Sequence, residues 1–380
     1  MAGPLQGVRI VELAAIGPAP YGVMLLADLG AEVIRVDRVA AAAGAPGAEV
    51  SMVGLSRNRR SIAVDLKTPA GIEVVLRLVA TADVFVEGFR PGVAERLGLG
   101  PGQLRAAHPE LLYARVTGWG QEGPLAPRAG HDLDYAAVAG ALHGIGRPDD
   151  PPPPPINYLA DFAGGGAFLA IGVLAALVER DRSGQGQVID TAMLDGAASL
   201  TAFLHGLRQL GAWSLERGSN LLDGAAPYYD TYRCADGGFL AVAALEPQFH
   251  AELCQRLELD PAEWPQHDQA DWPHQKERLA ALLATRDRDE WVALFADSDA
   301  CVAPVLDLAE APAHPHNQAR GTFVDAFGSV QPAPAPRLSR TPGSIERPPP
   351  GYGEHTDEVL DALGYDAQAR TALRTAGAIA

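Results

Sequence analysis

Two runs of aliphatic residues, VRIVEL (Val8–Leu13) and AEVIRVD (Ala31–Asp37), stand on either side of YGVMLLADLG, a segment with helical spacing that ends at Gly30. The runs read as buried strands rather than as strands with one wet face. A glycine just past the last periodic residue is a natural helix C-cap. Strand, helix and strand at this spacing make a βαβ unit, the building block of a parallel sheet covered by helices. SIAVDL (Ser61–Leu66), ADVFVEG (Ala82–Gly88) and LLYARVTGWG (Leu111–Gly120) continue the pattern, with GIEVVLRLVATA as a further helix. The expected fold class is α/β: a Rossmann-like large domain with a parallel sheet, plus a smaller α/β domain.

The first turn of this unit reads AIGPAPYG, which does not fit G-x-G-x-x-G. Its prolines remove N–H donors that a pyrophosphate would need. A nicotinamide dehydrogenase is therefore disfavoured, although the topology is kept.

A proline run, Pro151–Pro155, forms a stiff connector ahead of NYLADFAGGGAFLAIGVLAALVER. A helix is expected over Ala167–Arg180, with Asp161 just ahead of it as an N-cap or a catalytic acid. No residue from Phe162 to Val178 is charged, which is marginal for a membrane span. The glycines within it favour a buried helix, so no membrane is expected. A polar turn and VIDTAML follow. Then APYYDTYRCADGGFLAVAAL reads as two strands around an Asp-Gly-Gly turn. EPQFHAELCQRL and RDEWVALFADS read as helices and CVAPVLDL as a strand. Proline dominates 331–352, as in a linker, before a last helix near Thr356–Leu363. There is no internal repeat.

At 380 residues and 47% hydrophobic, the chain supports a large core and two domains. Its net charge of −17 argues against nucleic-acid binding. Residues 1–130 carry 13 Lys/Arg against 12 Asp/Glu, a balance of +1, and the remaining 17 against 35 give −18. The first third can therefore meet an anionic small molecule. The three cysteines, Cys234, Cys254 and Cys301, are far apart, so no disulfide framework or metal cluster is expected. With no signal peptide in MAGPLQGVRI, a cytoplasmic location is expected.

Three segments place an ionisable group beside small or apolar residues: His131 and Asp132 in AGHDLDYAAVAGAL, Asp161 in ADFAGGGAF, and Glu246 in AALEPQFHAEL. Taken singly, each is accounted for by a structural role, as a helix cap or first-turn acid, and nothing in their spacing says that they meet in space. The chain has no G-x-S-x-G elbow, H-E-x-x-H, P-loop or paired C-x-x-C, so serine hydrolase, zinc enzyme and NTPase lose support.

From VRIVEL through NRRSIAVDLK, VEGFRPGVAERLGLGP, YARVTGWGQEGP, GHDLDYAAVAGAL, DFAGGG, DGAAPYYDTY, EPQFH, SDACVAPVL and APAPRLSRTP, the chain resembles the α-methylacyl-CoA racemases of the family III CoA-transferase superfamily. The resemblance spans nearly the whole chain. It implies a large CoA-binding domain from residues 1–190 and 325–380, a linker and small domain over 191–324, and an interlocked homodimer.

The resemblance also implies roles. His131, assisted by Glu246, and Asp161 would form an acid/base pair that removes and returns a proton at C2 of a 2-methylacyl-CoA. One base cannot serve both faces of that carbon, which is why two are needed. A histidine side chain suits such a role as a residue type, and Asp161 needs a raised pKa in a dry surround. Arg38, the segment Val64, Asp65, Leu66 and Lys67, together with Gly88, Phe89, Arg90 and Arg96, would contact the nucleotide and phosphates of CoA. Gly130, Asp132, Leu133, Asp134 and Tyr135 would carry the thioester end. Asp134 stands where relatives often have Asn, and an extra carboxylate there bears on the tuning of His131. Backbone N–H groups at the start of the Gly-rich helix are the expected donors to the enolate oxygen. No metal or redox cofactor is expected, since CoA belongs to the substrate. Two other readings stay open: a CoA transferase in which Asp161 is a nucleophile, and a non-catalytic acyl-CoA binder.

Overall fold

The computed structural model describes residues 3–42 and 54–380. The chain divides into two compact units, one from Met1–Ala139, Pro155–Leu200 and Arg320–Ala380, the other from Gly140–Pro154 and Thr201–Ala319. The segment 140–154, assigned from sequence to the large domain, joins the second unit. Arg147 ties it there through Asp230 (Nη1 to Oδ2, 2.6 Å), and Arg217 Nη2 donates to the Asp150 carbonyl at 2.7 Å.

The first unit holds six parallel strands: β1 (Arg9–Leu13), β2 (Glu32–Asp37), β3 (Arg59–Ala63), β4 (Val84–Glu87), β5 (Leu112–Thr117) and β6 (Val188–Ala192). Their order is β3-β2-β1-β4-β5-β6. Every residue of β4 and β5 is buried, as expected where helices cover both faces. On one face Val74, Val75 and Leu78 of the Pro69–Val79 helix share a core with Val359 and Leu360 near the C-terminus. On the other, the Pro18–Asp28 and Phe168–Ser183 helices pack Val23, Leu26, Leu169 and Val173 against Val84, Leu112 and Ala114.

The strand runs Val8–Leu13, Ala31–Asp37 and Leu111–Gly120 are strands in the structure, with trimmed ends. The first helix starts three residues earlier than its spacing indicates. Pro18 sits at its opening turn, where a missing N–H breaks no bond. A larger difference concerns the Gly-rich segment. A single helix runs over Tyr158–Ser183, its first ten residues, Tyr158–Ala167, wound as a π-helix. Asp161 is thus inside the helix, and Asn157 occupies the N-cap. The helix is long and apolar enough to cross a membrane by length and composition, but Leu169, Ala170, Val173 and Ala176 are buried against the sheet.

The proline-rich stretch 331–352 is pinned to the first unit rather than loose. Asn58 Oδ1 accepts the N–H groups of Glu346 (2.7 Å) and Arg347 (3.1 Å), and the Asp28 carbonyl accepts that of Ser344 (2.9 Å).

In the second unit β7 (Tyr229–Arg233), β8 (Phe239–Ala243) and β9 (Val302–Pro304) are antiparallel. The β7–β8 turn is the expected Asp-Gly-Gly, with Gly237 at φ +86°, a conformation glycine adopts without strain. Trp264, Trp272, Trp291 and Tyr228 fill the core beneath it.

Candidate active site

In an open parallel sheet the strand order reverses where neighbouring crossovers diverge to opposite faces, leaving a crevice at the carboxyl ends. Here the reversal falls between β1 and β4. A cavity of about 510 Å³ lies there, walled by residues that follow β1 (Ile16, Gly17), β4 (Gly88–Pro91) and β5 (Gly118, Trp119). His131 and Asp161 both line it, so the first unit brings together two of the three expected catalytic groups. Glu246 belongs to the second unit, where it is exposed at the N-cap position of the Pro247–Arg256 helix.

His131 is exposed at the N-cap of a short helix, Asp132–Val138. Asp134 secures that end, its Oδ2 accepting the His131 backbone N–H at 2.9 Å. This carboxylate therefore acts on the backbone of His131. Asp132 is buried, and its Oδ1 accepts two backbone N–H groups, those of Ala160 and Asp161, each at 2.7 Å. These bonds narrow the oxyanion expectation. Both N–H groups are committed to Asp132, so they are not free for a substrate oxygen. The same bonds explain why the helix can begin early: its cap comes from a carboxylate 28 residues upstream.

The three glycines also have a different task from the one expected. All are buried against neighbouring helices. A Cβ on Gly166 would meet Pro18 O at 2.7 Å, one on Gly165 would meet Met193 Cγ at 2.8 Å, and one on Gly164 would meet Ala197 N at 2.6 Å. They let three helices close around the turn that carries Asp161. Gly17 does the same from the cavity side, where a Cβ would stand 3.0 Å from Asp161 Oδ2.

Burial pushes the Asp161 carboxyl above the ordinary aspartate range, and the nearby Asp132 charge pushes it further; Asn157 and His131 pull weakly the other way. A carboxyl held up in this way can both take and give a proton nearer neutrality. Tyr135 is buried on the same wall and is pushed up to about 12, by burial first and then by Asp161 and Asp134.

The remaining expected contacts divide by exposure. Arg38, Lys67, Arg90 and Arg96 are exposed, and among the described residues none enters an ion pair. Arg90 lines the cavity itself. Gly88 and Leu133 are exposed, Phe89 packs partly on the core and Gly130 bounds the cavity. Val64 is buried, its N–H bonded to the Asp37 carbonyl at 2.8 Å, and Leu66 packs on the same core. Asp65 Oδ1 accepts the Lys67 N–H at 3.0 Å. Arg128, Asn157, Trp119 and Gly17 line the cavity without having been singled out in the sequence. Arg128 stands three residues before His131 and was legible as a cation beside a catalytic motif; the others depend on long-range packing.

A doubly wound α/β unit with a histidine and a raised aspartate facing one cavity at the strand-order reversal defines an enzyme of proton or acyl-group chemistry. The chain belongs to CoA-transferase family III, whose pattern matches residues 5–356. It is 48% identical over 368 residues to the alpha-methylacyl-CoA racemase of Mus musculus, covering 96% of this chain and 94% of that one. It is 45% identical to the alpha-methylacyl-CoA racemase of Homo sapiens at the same coverage. Among solved structures, a CAIB/BAIF family protein from Brucella suis superposes with a TM-score of 0.82 at 28% identity, over 96% of this chain and all of that one.

Proposed function

We propose that the chain is a racemase of 2-methylacyl-CoA thioesters, moving a proton off and onto C2 through an enolate. The observation that carries this is the placement of His131 and Asp161 on the walls of one cavity, with Asp161 raised by burial and by Asp132. For one enantiomer Asp161 takes the C2 proton while protonated His131 delivers another to the opposite face; for the other the roles exchange. Glu246, from this subunit or a partner in a homodimer, orients the imidazole. The chemistry uses no metal or redox cofactor: the thioester acidifies C2, and CoA arrives with the substrate. Arg38, Lys67, Arg90 and Arg96 bind its phosphates, for which unpaired cations on the first unit are suited. The three unpaired cysteines fit a reducing cytoplasm.

The test is incubation of the protein with (R)-2-methylacyl-CoA in heavy water without any acceptor acid. Deuterium is expected at C2 as the epimers equilibrate, with both lost in His131→Ala. Thioester transfer that appears only with an added carboxylic acid, without exchange, would instead make Asp161 a nucleophile and the protein a CoA transferase.

A further inference from the structure

We propose that the Tyr135 hydroxyl is the hydrogen-bond donor to the enolate oxygen, an inference that rests on the racemase reading. Tyr135 is 5% exposed, and it lines the cavity with His131 and Asp161. Buried tyrosines ordinarily find a partner for the hydroxyl. Among the described residues nothing hydrogen-bonds this one, so the donor is available to a bound molecule.

The ring is held so that the hydroxyl has a fixed position. Gly118 and Gly130 make room for it: a Cβ at Gly118 would stand 2.0 Å from Tyr135 Cζ, and one at Gly130 2.7 Å from Cε1. Trp119 closes the clamp edge-on, its ring centroid 4.7 Å away at 84°. Preorganised donors of this kind lower an enolate barrier because no reorientation is needed as charge develops.

Several nearby alternatives are already used. The Ala160 and Asp161 N–H groups are held by Asp132, and that of His131 by Asp134. The Trp119 indole N–H has no partner, but it is sealed from solvent. Burial and the Asp161 charge also keep the Tyr135 proton in place at neutral pH, so the group acts as a donor.

The step balances without a co-reactant. As the C2–H bond breaks, its electron pair becomes the C1–C2 π bond and the carbonyl π pair moves to oxygen. Tyr135 keeps its proton and shares it with that oxygen. When the opposite acid delivers a proton to C2, the pair returns and the carbonyl reforms.

The experiment compares the protein with Tyr135→Phe, using exchange at C2 and binding of two CoA analogues. One bears a nitronate, planar and anionic like the enolate; the other is a 2-methylalkyl thioether without a carbonyl oxygen. Phe is expected to slow exchange by about 10²–10³-fold with KM changed less than about threefold. Nitronate affinity should fall by a similar factor, and thioether affinity should stay. A Phe variant with undiminished exchange overturns the proposal, as does one that weakens thioether and nitronate alike, which marks a packing role. If the wild type exchanges no C2 proton yet prefers the nitronate through Tyr135, the donor stands and the racemase reading falls.

Discussion

At Asp161 the fold disfavours the charged form of the carboxyl. Its pKa is raised, chiefly by burial and secondly by Asp132, so the folded protein binds its proton more tightly than the unfolded chain does. Linkage then fixes the sign. Stability from this group is complete below the ordinary aspartate pKa of 3.8 and is lost as pH rises through the folded value. Asp161→Asn should abolish exchange and raise the melting temperature at pH 7.5. The gain should shrink as the pH falls towards 3.8, and melting curves at matched pH values check it. His131, Asp161 and Glu246 were visible in the sequence because their motifs are local. Asp132 was visible as a residue, but its double hydrogen bond to Ala160 and Asp161 was not, since 28 and 29 residues separate the partners.

At the scale of elements, the helix over Tyr158–Ser183 works because glycine lets backbones meet. Gly196 on the Met193–Leu200 helix lies against Gly164, and a Cβ on Gly196 would stand 1.8 Å from the Gly164 carbonyl oxygen. The obstacle is main chain, which has no rotamer to change. Gly196→Ala is expected to cost at least the upper part of the ~1–3 kcal/mol typical of overpacking. It should also displace the turn carrying Asp161, so denaturant midpoint and exchange rate should fall together. The run DFAGGG was legible as a site. Its π-helical winding was not, because the cap that permits it comes from another segment and hydrophobic spacing reports only regular periods.

At the scale of the molecule, charge is arranged in two ways. Within the first unit, Arg59 pairs with Glu12 at 2.7 Å, Arg57 with Asp28 at 2.6 Å, and Arg115 with Glu87 at 3.2 Å, all buried. Such pairs specify how strands and loops meet more than they stabilise, since desolvation offsets most of the attraction. The cations Arg38, Lys67, Arg90 and Arg96 are exposed and enter no ion pair among the described residues, and under the racemase proposal they meet the CoA phosphates. Arg38→Glu and Arg96→Glu should each raise KM for acyl-CoA about tenfold or more, the worth of a charge-assisted hydrogen bond, with kcat within about twofold. Steady-state kinetics at two ionic strengths tests this, with a smaller salt effect expected in the variants.

The chain's own residue order carried the parallel α/β class, the failure of the dinucleotide fingerprint, the β7–β8 hairpin and the motifs that hold the proposed acid and base. Each is written within a short window, as a period, a turn or a motif. Tertiary structure alone decided what surrounds those groups. It set the strand order that opens a crevice between β1 and β4, the tether of 331–352 and the assignment of 140–154 to the second unit. It also decided that Asp132 caps the helix of Asp161 and that glycines clamp a Tyr135 whose hydroxyl has no hydrogen-bond partner among the described residues. These depend on contacts between distant segments. Their energies come from burial and hydrogen bonds that no local window contains.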